Sequence, residues 1–396
     1  MTLPLAGVRV VEVAQYVAGP LAGSLLAELG AEVIKVEPPG GDAYRTVMPV
    51  APGIGRFFVP LNRGKRSVVL DLKSPAGRAA LAKLVATADV VVHNAPPGRA
   101  EAFGLGWEEL HAAHPALVVG IVTSFGPHGP LAGKPAYDLV AQGRSGLLTS
   151  HASPGDSVPV RAGGIPMADL TAGHLLATGV LAALVRARTA GEGQVVEVSL
   201  LGAALAVQIQ DLVWLDGEAA GPAAAATRGD LLARADEIAG GLGMNPYYRC
   251  YEAADGFLAV ACLNVAQRQA FLALFDLEDV TIATPDIVPA DPGVLAEKQR
   301  VTTTVERAIA AESVEAWLAL LGAATVPAGP VLTRESVHAD AQVRANGLVQ
   351  DVQQPGLGTV TMLGGVFRVG EADPAAIRPA PDLGADTEAV LAEVGA

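Results

Sequence analysis

The sequence predicts an α/β protein, a doubly wound parallel sheet flanked by helices and joined to a smaller second domain. Three observations carry this expectation. Short apolar runs alternate with runs of helical periodicity through the first third of the chain, as in successive βαβ units. Half of the residues, 51%, are apolar while only 4% are aromatic, which suits strands covered on both faces by small-residue helices. At 396 residues the chain is long enough for a large core and two structural units.

Taken in order, residues 8–14 (VRVVEVA) are apolar enough for a buried strand. Residues 19–30 read as a helix, with Pro20 at a tolerated first-turn position and Gly30 as the stop. Strands follow at 33–37 and 67–72, then a helix at 75–87 and a strand at 89–94. A helix near 107–113 precedes strands at 117–124 and 194–200. A helical segment over 201–215 leads into a Gly-, Ala- and Pro-rich connector at 216–230. Residues 245–264 read as a hairpin turning at Asp255-Gly256. Helices are expected at 266–277 and 292–321, a connection at 326–333 and further strands over 349–369. Residues 1–205 would then form the first part of the large domain and 206–225 a linker. An α+β small domain would occupy 226–318, and 319–396 would be a linker and the return to the large domain.

The net charge of −14 argues against nucleic acid as a partner, because phosphate binding wants a basic surface. One stretch, NRGKRSVVLDLK at 62–73, gathers Arg63, Lys65, Arg66 and Lys73. It suits a small anionic ligand or a solvated loop equally. No uninterrupted apolar run reaches the length of about 18 residues that marks a membrane span. The longest, near 175–185, is broken by Thr and Gly. The N-terminus lacks the basic segment and long apolar core of a signal peptide, so a cytoplasmic protein is expected. Cys250 and Cys262 read as reduced core residues rather than a disulfide framework or metal site.

The opening βαβ unit invites a dinucleotide-binding reading, with Glu37 where a ribose-binding acid would stand. Its turn, AGPLAG at 18–23, lacks the GxGxxG spacing that lets backbone approach a pyrophosphate. Gly64-Lys65 is not a phosphate loop, and GRSG at 143–146 is one residue short of a nucleophile elbow. His111 and His114 lie three apart on a helix without a third ligand, and His128 sits in a loop, so no metal site is expected. The chemistry must then come from carboxylates and backbone donors. Asp169 is the candidate. It falls in RAGGIPMADLTAGHLLATG at 161–179, between an extended run and a small-residue helix. Unpaired N–H groups and the positive end of the helix dipole meet there. From these residues alone Asp169 is either a helix N-cap or a nucleophilic carboxylate kept ionised by the dipole, with backbone donors for an oxyanion.

The chain resembles the class III CoA-transferases, the CaiB/BaiF family, nearly end to end. The marks are AGP at 18–20 with LGAEVIKVEPPGGD at 29–42, NRGKRSVVLDLK at 62–73 and ADVVVHN at 88–94. They continue with YDLVAQ at 137–142, PMADLTAG at 166–173, RARTAGEGQVVEVSLL at 186–201 and VPAGPV at 326–331.

The resemblance implies a Rossmann-like large domain split by the smaller one, in a homodimer whose chains interlock like rings. The family's nucleophile falls on Asp169. Its carboxylate would attack an acyl-CoA thioester and pass the CoA to an acceptor acid through an anhydride and an aspartyl-CoA thioester. No tightly bound cofactor and no metal is implied; CoA and acyl-CoA are substrates. Asp138 and Tyr137 are possible assisting residues. Gly240, Gly241 and Gly243 match a glycine-rich loop that covers the site in formyl-CoA transferase, a plain interdomain connector being the other reading. CoA contacts would fall on Gln15, Val17, Ala18, Leu70, Lys73 and Asn94, with Lys73 meeting phosphate as a point charge.

Departures from the family pattern bear on substrate choice. Val17 stands where formyl-CoA transferase has Gln, and Pro38 replaces its arginine. Pro96 and Ala102 occupy positions where the family often has Arg, and Arg99 is a candidate substitute. These changes weaken the case for formyl-CoA or oxalate and leave the class intact. Small dicarboxylates activated from succinyl-CoA are the expected substrates, and Tyr16, Tyr44, Phe57 and Tyr137 either line an acyl pocket or pack. The rival within the fold is an α-methylacyl-CoA racemase, which uses a histidine with the aspartate. Tyr137 stands where that histidine would be, and a phenol with a pKa of about 10 is a poor base at neutral pH. A CoA-binding module without turnover is the third reading.

Overall fold

Six parallel strands form the central sheet. The computed structural model describes residues 3–149, 164–210, 212–213, 245–283, 292–370 and 377–396. In chain order it begins with β1 (Arg9–Val13), α1 (Ala18–Glu28), β2 (Glu32–Glu37) and a short ribbon, β3 (Pro49–Ala51) with β4 (Ile54–Gly55). Next come α2 (Phe58–Asn62), β5 (Arg66–Val69), α3 (Pro75–Val85), β6 (Val90–His93) and α4 (Arg99–Ala102). α5 (Trp107–Ala113), β7 (Val118–Thr123), α6 (Asp138–Arg144), α7 (Met167–Ala190), β8 (Val195–Ser199) and α8 (Leu200–Ala206) follow.

The strand order is β5-β2-β1-β6-β7-β8, every neighbour parallel. The chain walks outward from β1 through β2 to β5, then returns past β1 to lay down β6. That reversal creates a switch point between β1 and β6, where open α/β sheets bind ligands at the carboxyl ends of their strands. Gly30 ends the α1 segment at φ +105°, a conformation that glycine adopts without a Cβ penalty.

Side chains alternate across the pleat. Val10, Val33, Val90, Val92 and Val118 join a core with α1, α7 and α8. Val11, Ile34, Val68, Val91 and Val119 join the other, with α3, α5 and the helix Thr387–Glu393. Covered on both faces, the strands read as continuous apolar runs. The helix α7 is apolar and long enough to cross a membrane by length and composition, with mean hydropathy 1.5. The Thr and Gly that interrupt its run lower that average without taking it out of the range of a spanning helix. Its Ala172, Leu176, Val180 and Leu184 are buried in the first core, the position of a sheet-covering helix.

The chain divides into two compact units, one of Met1–Leu148, Arg161–Ala220 and His338–Ala396, the other of Thr149–Val160 and Gly221–Val337. In the second unit β9 (Tyr248–Ala253), β10 (Gly256–Ala261) and β11 (Ala328–Pro330) form an antiparallel sheet in the order β11-β10-β9. Helices Val265–Ala273, Pro292–Ile309 and Val314–Ala323 pack Phe271, Val305 and Trp317 into a core with Leu258 and Val260.

Several details differ from expectation. The hairpin turns at Ala254-Asp255, because Gly256 already pairs with Ala253. The stretch 292–321 is two helices, since the Ser313 side chain accepts from Ala316 N and caps a new one. Residues 326–333 contribute a strand rather than a connection alone. The helix after β8 ends at Ala206. Cys262 is buried as expected, its thiol pushed up to about 11 by burial, but Cys250 is exposed. In the first unit, Val349–Gln354 and Gly358–Leu363 pair as a final hairpin.

Candidate active site

The loop after β1 rests on buried charge. Lys35 of β2 reaches Glu12 of β1 at 2.9 Å and Asp42 at 2.9 Å, and donates to the Ala14 carbonyl at 2.8 Å. Lys65 meets the other Glu12 oxygen at 2.7 Å and donates to Asn62 and to the Pro20 carbonyl. Arg45 grips both oxygens of Glu37 at 2.7 Å, and Ser67 adds a hydrogen bond at 2.6 Å. Three cations thus face three carboxylates, so the cluster is neutral in sum. Burial of this kind is tolerable only with full pairing and hydrogen bonding. Burial opposes the charge on Lys35, yet Glu12 and Asp42 outweigh it and raise its pKa. Burial wins at Lys65, whose pKa falls to about 8 despite Glu12. At Glu37 burial opposes ionisation, but Arg45 holds the carboxyl below its usual range.

This cluster shapes the cavity wall. Asp42 accepts the backbone N–H of Tyr16 at 3.3 Å and of Tyr44 at 2.9 Å. Tyr16 is thereby held at φ +70°, in the left-handed region that non-glycine residues seldom adopt. The cluster also bears on two readings of the sequence. Glu37 is occupied by Arg45 and does not stand free as a ribose-binding acid. The basic stretch is not one anion patch either. Arg63 pairs with Glu28 at 3.1 Å, Lys65 is buried on Glu12, and Arg66 pairs with Glu32 at 2.6 Å and Glu393 at 2.8 Å. From that stretch only Lys73, with Leu70 through Leu72, reaches the cavity.

The cavity, about 1250 Å³, opens at the carboxyl edge of the sheet. Gln15, Val17 and Ala18 enter it after β1, Leu70 and Lys73 after β5, and Asn94 after β6. Arg99, Tyr137 and Asp169 complete the walls that the sequence pointed to. Asn94 spans the switch point. Its amide nitrogen donates to Gln15 O at 2.8 Å and its amide oxygen accepts from Gln15 N at 3.2 Å.

Asp169 lies in the first turn of α7, half-buried, at the edge of this cavity. It is not the N-cap. The helix begins at Met167 behind Pro166, which offers no side-chain cap. Asp138 supplies the cap from a distance: one oxygen accepts Ala168 N at 2.9 Å and Asp169 N at 3.3 Å. Its other oxygen accepts the Gln142 amide at 2.7 Å, and the side chain is buried. Asp138 therefore stands behind the cavity wall, which does not include it, and its neighbour Tyr137 stands in that wall. Tyr137 meets Tyr16 edge-on at 5.6 Å, and Tyr16 meets Tyr44 at 5.7 Å. The hydrogen bond with Tyr137 raises the Tyr16 phenol above its ordinary pKa, with burial adding to it. Gly240, Gly241 and Gly243 lie outside the described residues. Among the described residues no three His, Cys, Asp or Glu side chains gather as a metal site.

Comparison with known proteins places this geometry. The family model described as CoA-transferase family III matches residues 5–387. A succinate–glutarate CoA-transferase of Agrobacterium fabrum is 34% identical over 99% of this chain and 96% of its own. An acetyl-CoA:oxalate CoA-transferase of Acetobacter aceti is 31% identical over 89% and 88%. The crystal structure of a CaiB/BaiF family protein from Brucella suis superposes with a TM-score of 0.79 at 29% identity, covering 100% of both chains. The chain belongs to CoA-transferase family III, the CaiB/BaiF family, and is an acyl-CoA:carboxylate CoA-transferase.

Proposed function

We propose that Asp169 is the nucleophile that carries the acyl and CoA groups between donor and acceptor. The observation that supports this most is its place: a carboxylate in the first turn of α7, on the wall of the switch-point cavity. The helix dipole favours its ionised form there.

The steps balance without ATP or metal. A carboxylate oxygen of Asp169 attacks the thioester carbonyl and expels CoA as thiolate, leaving a mixed anhydride. The thiolate attacks the aspartyl carbonyl of that anhydride, giving an aspartyl-CoA thioester and freeing the donor acid. The acceptor carboxylate attacks this thioester, re-forming an anhydride and releasing thiolate. The thiolate then attacks the acceptor acyl carbon, and Asp169 is regenerated. Each step exchanges one activated acyl bond for another.

Gln15, Val17, Ala18, Leu70, Lys73, Asn94 and Arg99 are proposed to hold the CoA, with Lys73 and Arg99 on its phosphates. Small dicarboxylic acids are the proposed acyl groups, supported by the succinate–glutarate transferase to which this chain is similar. The racemase alternative lacks support at the base position. Tyr137 stands there in a hydrogen-bonded phenol pair with Tyr16, whose proton is held more tightly than usual. We place the enzyme in the cytoplasm, free of membrane and nucleic acid, as an interlocked homodimer without a resident cofactor.

The test is acyl exchange itself. Succinyl-CoA incubated with glutarate, oxalate and branched acids should yield new acyl-CoA with ping-pong kinetics. Racemisation of a branched acyl-CoA without CoA exchange would overturn the reading.

A further inference from the structure

Tyr16 holds a left-handed backbone, φ +70°, where glycine would be unstrained. Asp42, itself buried against Lys35, fixes it there through the Tyr16 N–H. Strain of this kind gathers where a side chain must stand in one place for a ligand. The ring stands beside Asp169. Two residues on, the Ala18 carbonyl lies against α7, only 2.9 Å from where a Cβ on Gly173 would be, one turn after Asp169. Tyr137 meets the Tyr16 ring edge-on at 5.6 Å, and the two phenols share a hydrogen bond. Tyr137 in turn precedes Asp138, whose carboxylate accepts the Asp169 N–H. Both rings line the cavity with Asp169.

The rings continue outward from that corner. Tyr44 meets Tyr16 edge-on at 5.7 Å, and Phe57 lies 6.0 Å beyond Tyr44. Rings that only packed on one another would be covered, yet Tyr16 is 36%, Phe57 43% and Tyr137 66% exposed. Their place relative to the cations gives them a part of the ligand to meet. Lys73 leads into α3 and Arg99 opens α4, and both helices pack on one face of the sheet. Tyr16 precedes α1 and Tyr137 precedes α6, which pack with α7 on the other face. An acyl-CoA with its phosphates on those cations and its thioester at Asp169 carries its acyl group past Asp169, toward the rings. Two rings meeting edge-on leave a corner that suits a third ring, since aromatic pairs gain from offset and edge-to-face contact.

We propose that Tyr16 and Tyr137 form an acyl subsite for acids that carry an aryl group a short chain away from the carboxyl, with Tyr44 and Phe57 extending it. This rests on Asp169 standing at the thioester, and it takes the acids exchanged beyond the small dicarboxylic class.

The probes are two thioethers of similar length, S-(3-phenylpropyl)-CoA and S-heptyl-CoA, titrated calorimetrically into the full-length protein. Neither has a carbonyl for Asp169 to attack, so binding is read apart from chemistry. Wild type should bind the aryl thioether about two- to tenfold tighter, the worth of one well-placed aromatic pair. Tyr16→Gly should erase that preference, and Tyr16→Phe, which keeps the ring, should retain it. A ring that served only to support the wall would, when removed, weaken both thioethers alike and leave their ratio unchanged. Equal binding by wild type, binding of neither, or a preference that survives Tyr16→Gly would overturn the proposal. Should Tyr16→Gly fail to fold, Tyr137→Ala, at the most exposed ring, should lower the same ratio. Turnover is read separately with succinyl-CoA and glutarate. Aryl preference without acyl exchange would sink the catalytic reading and leave this one standing, and exchange without the preference would do the reverse.

Discussion

Asp138 holds the helix on which Asp169 rides: its carboxylate accepts the Asp169 backbone N–H at 3.3 Å and that of Ala168 at 2.9 Å. The two acids divide one task, Asp138 satisfying the helix start and leaving the Asp169 side chain on the cavity wall. Replacing Asp138 with Ala should remove about 1 kcal/mol, as for other lost caps. It should lower kcat about tenfold, the equivalent of 1.4 kcal/mol, with KM nearly unchanged. Asp138→Asn, which keeps an acceptor oxygen, should restore part of both. Thermal unfolding and steady-state kinetics on the two variants check this, and a fall in stability with kcat intact would reduce Asp138 to a structural cap.

The buried cluster under the β1 loop makes a second prediction. Lys35→Met leaves Glu12 and Asp42 short of a shared cation in a site where all three side chains are fully buried. Breaking a buried ion network by removing one partner costs about 3–5 kcal/mol. Denaturant midpoints should shift accordingly, and CoA affinity should fall because Lys35 also holds the Ala14 carbonyl.

Gly173 lets α7 approach α1. A Cβ there would lie 2.9 Å from the Ala18 carbonyl and from Leu21. Gly173→Val should cost about 1–3 kcal/mol by overpacking. The displaced helices would also part Asp169 from the Val17–Ala18 wall, so kcat should drop alongside the denaturation midpoint.

His93 sets an acid limit on stability. Its pKa falls from 6.5 to about 4 because burial disfavours the imidazolium. Below pH 6.5 the unfolded chain takes up the proton first, so stability is lost as the pH drops from there toward 4. The full loss is up to about 3 kcal/mol, at 1.36 kcal/mol per unit. His93→Phe should flatten that limb of the pH–stability curve, measured as the difference between variant and wild type. Identical acid limbs would contradict it.

The sheet was legible because parallel strands buried on both faces must be apolar runs, and helices between them announce themselves by proline starts and glycine stops. The cavity walls followed from motifs that the family shares. What remained hidden is non-local. A charge count over 62–73 cannot show that Lys65 turns inward to Glu12 or Arg66 outward to Glu32 and Glu393. The cap on α7 comes from another helix, so the local pattern around Asp169 suggested the wrong residue for that role. His93 has no spacing signal at all; only its burial and its bare nitrogens mark it out.

The central claim is a covalent one, and intact-protein mass spectrometry tests it most directly. The protein is incubated with succinyl-CoA, quenched with hydroxylamine or borohydride, digested and mapped. The account predicts a modification on the peptide carrying Asp169, at that residue, and none in Asp169→Ala, which should still bind CoA. An adduct on another residue, or acyl exchange that persists in Asp169→Ala, would contradict it.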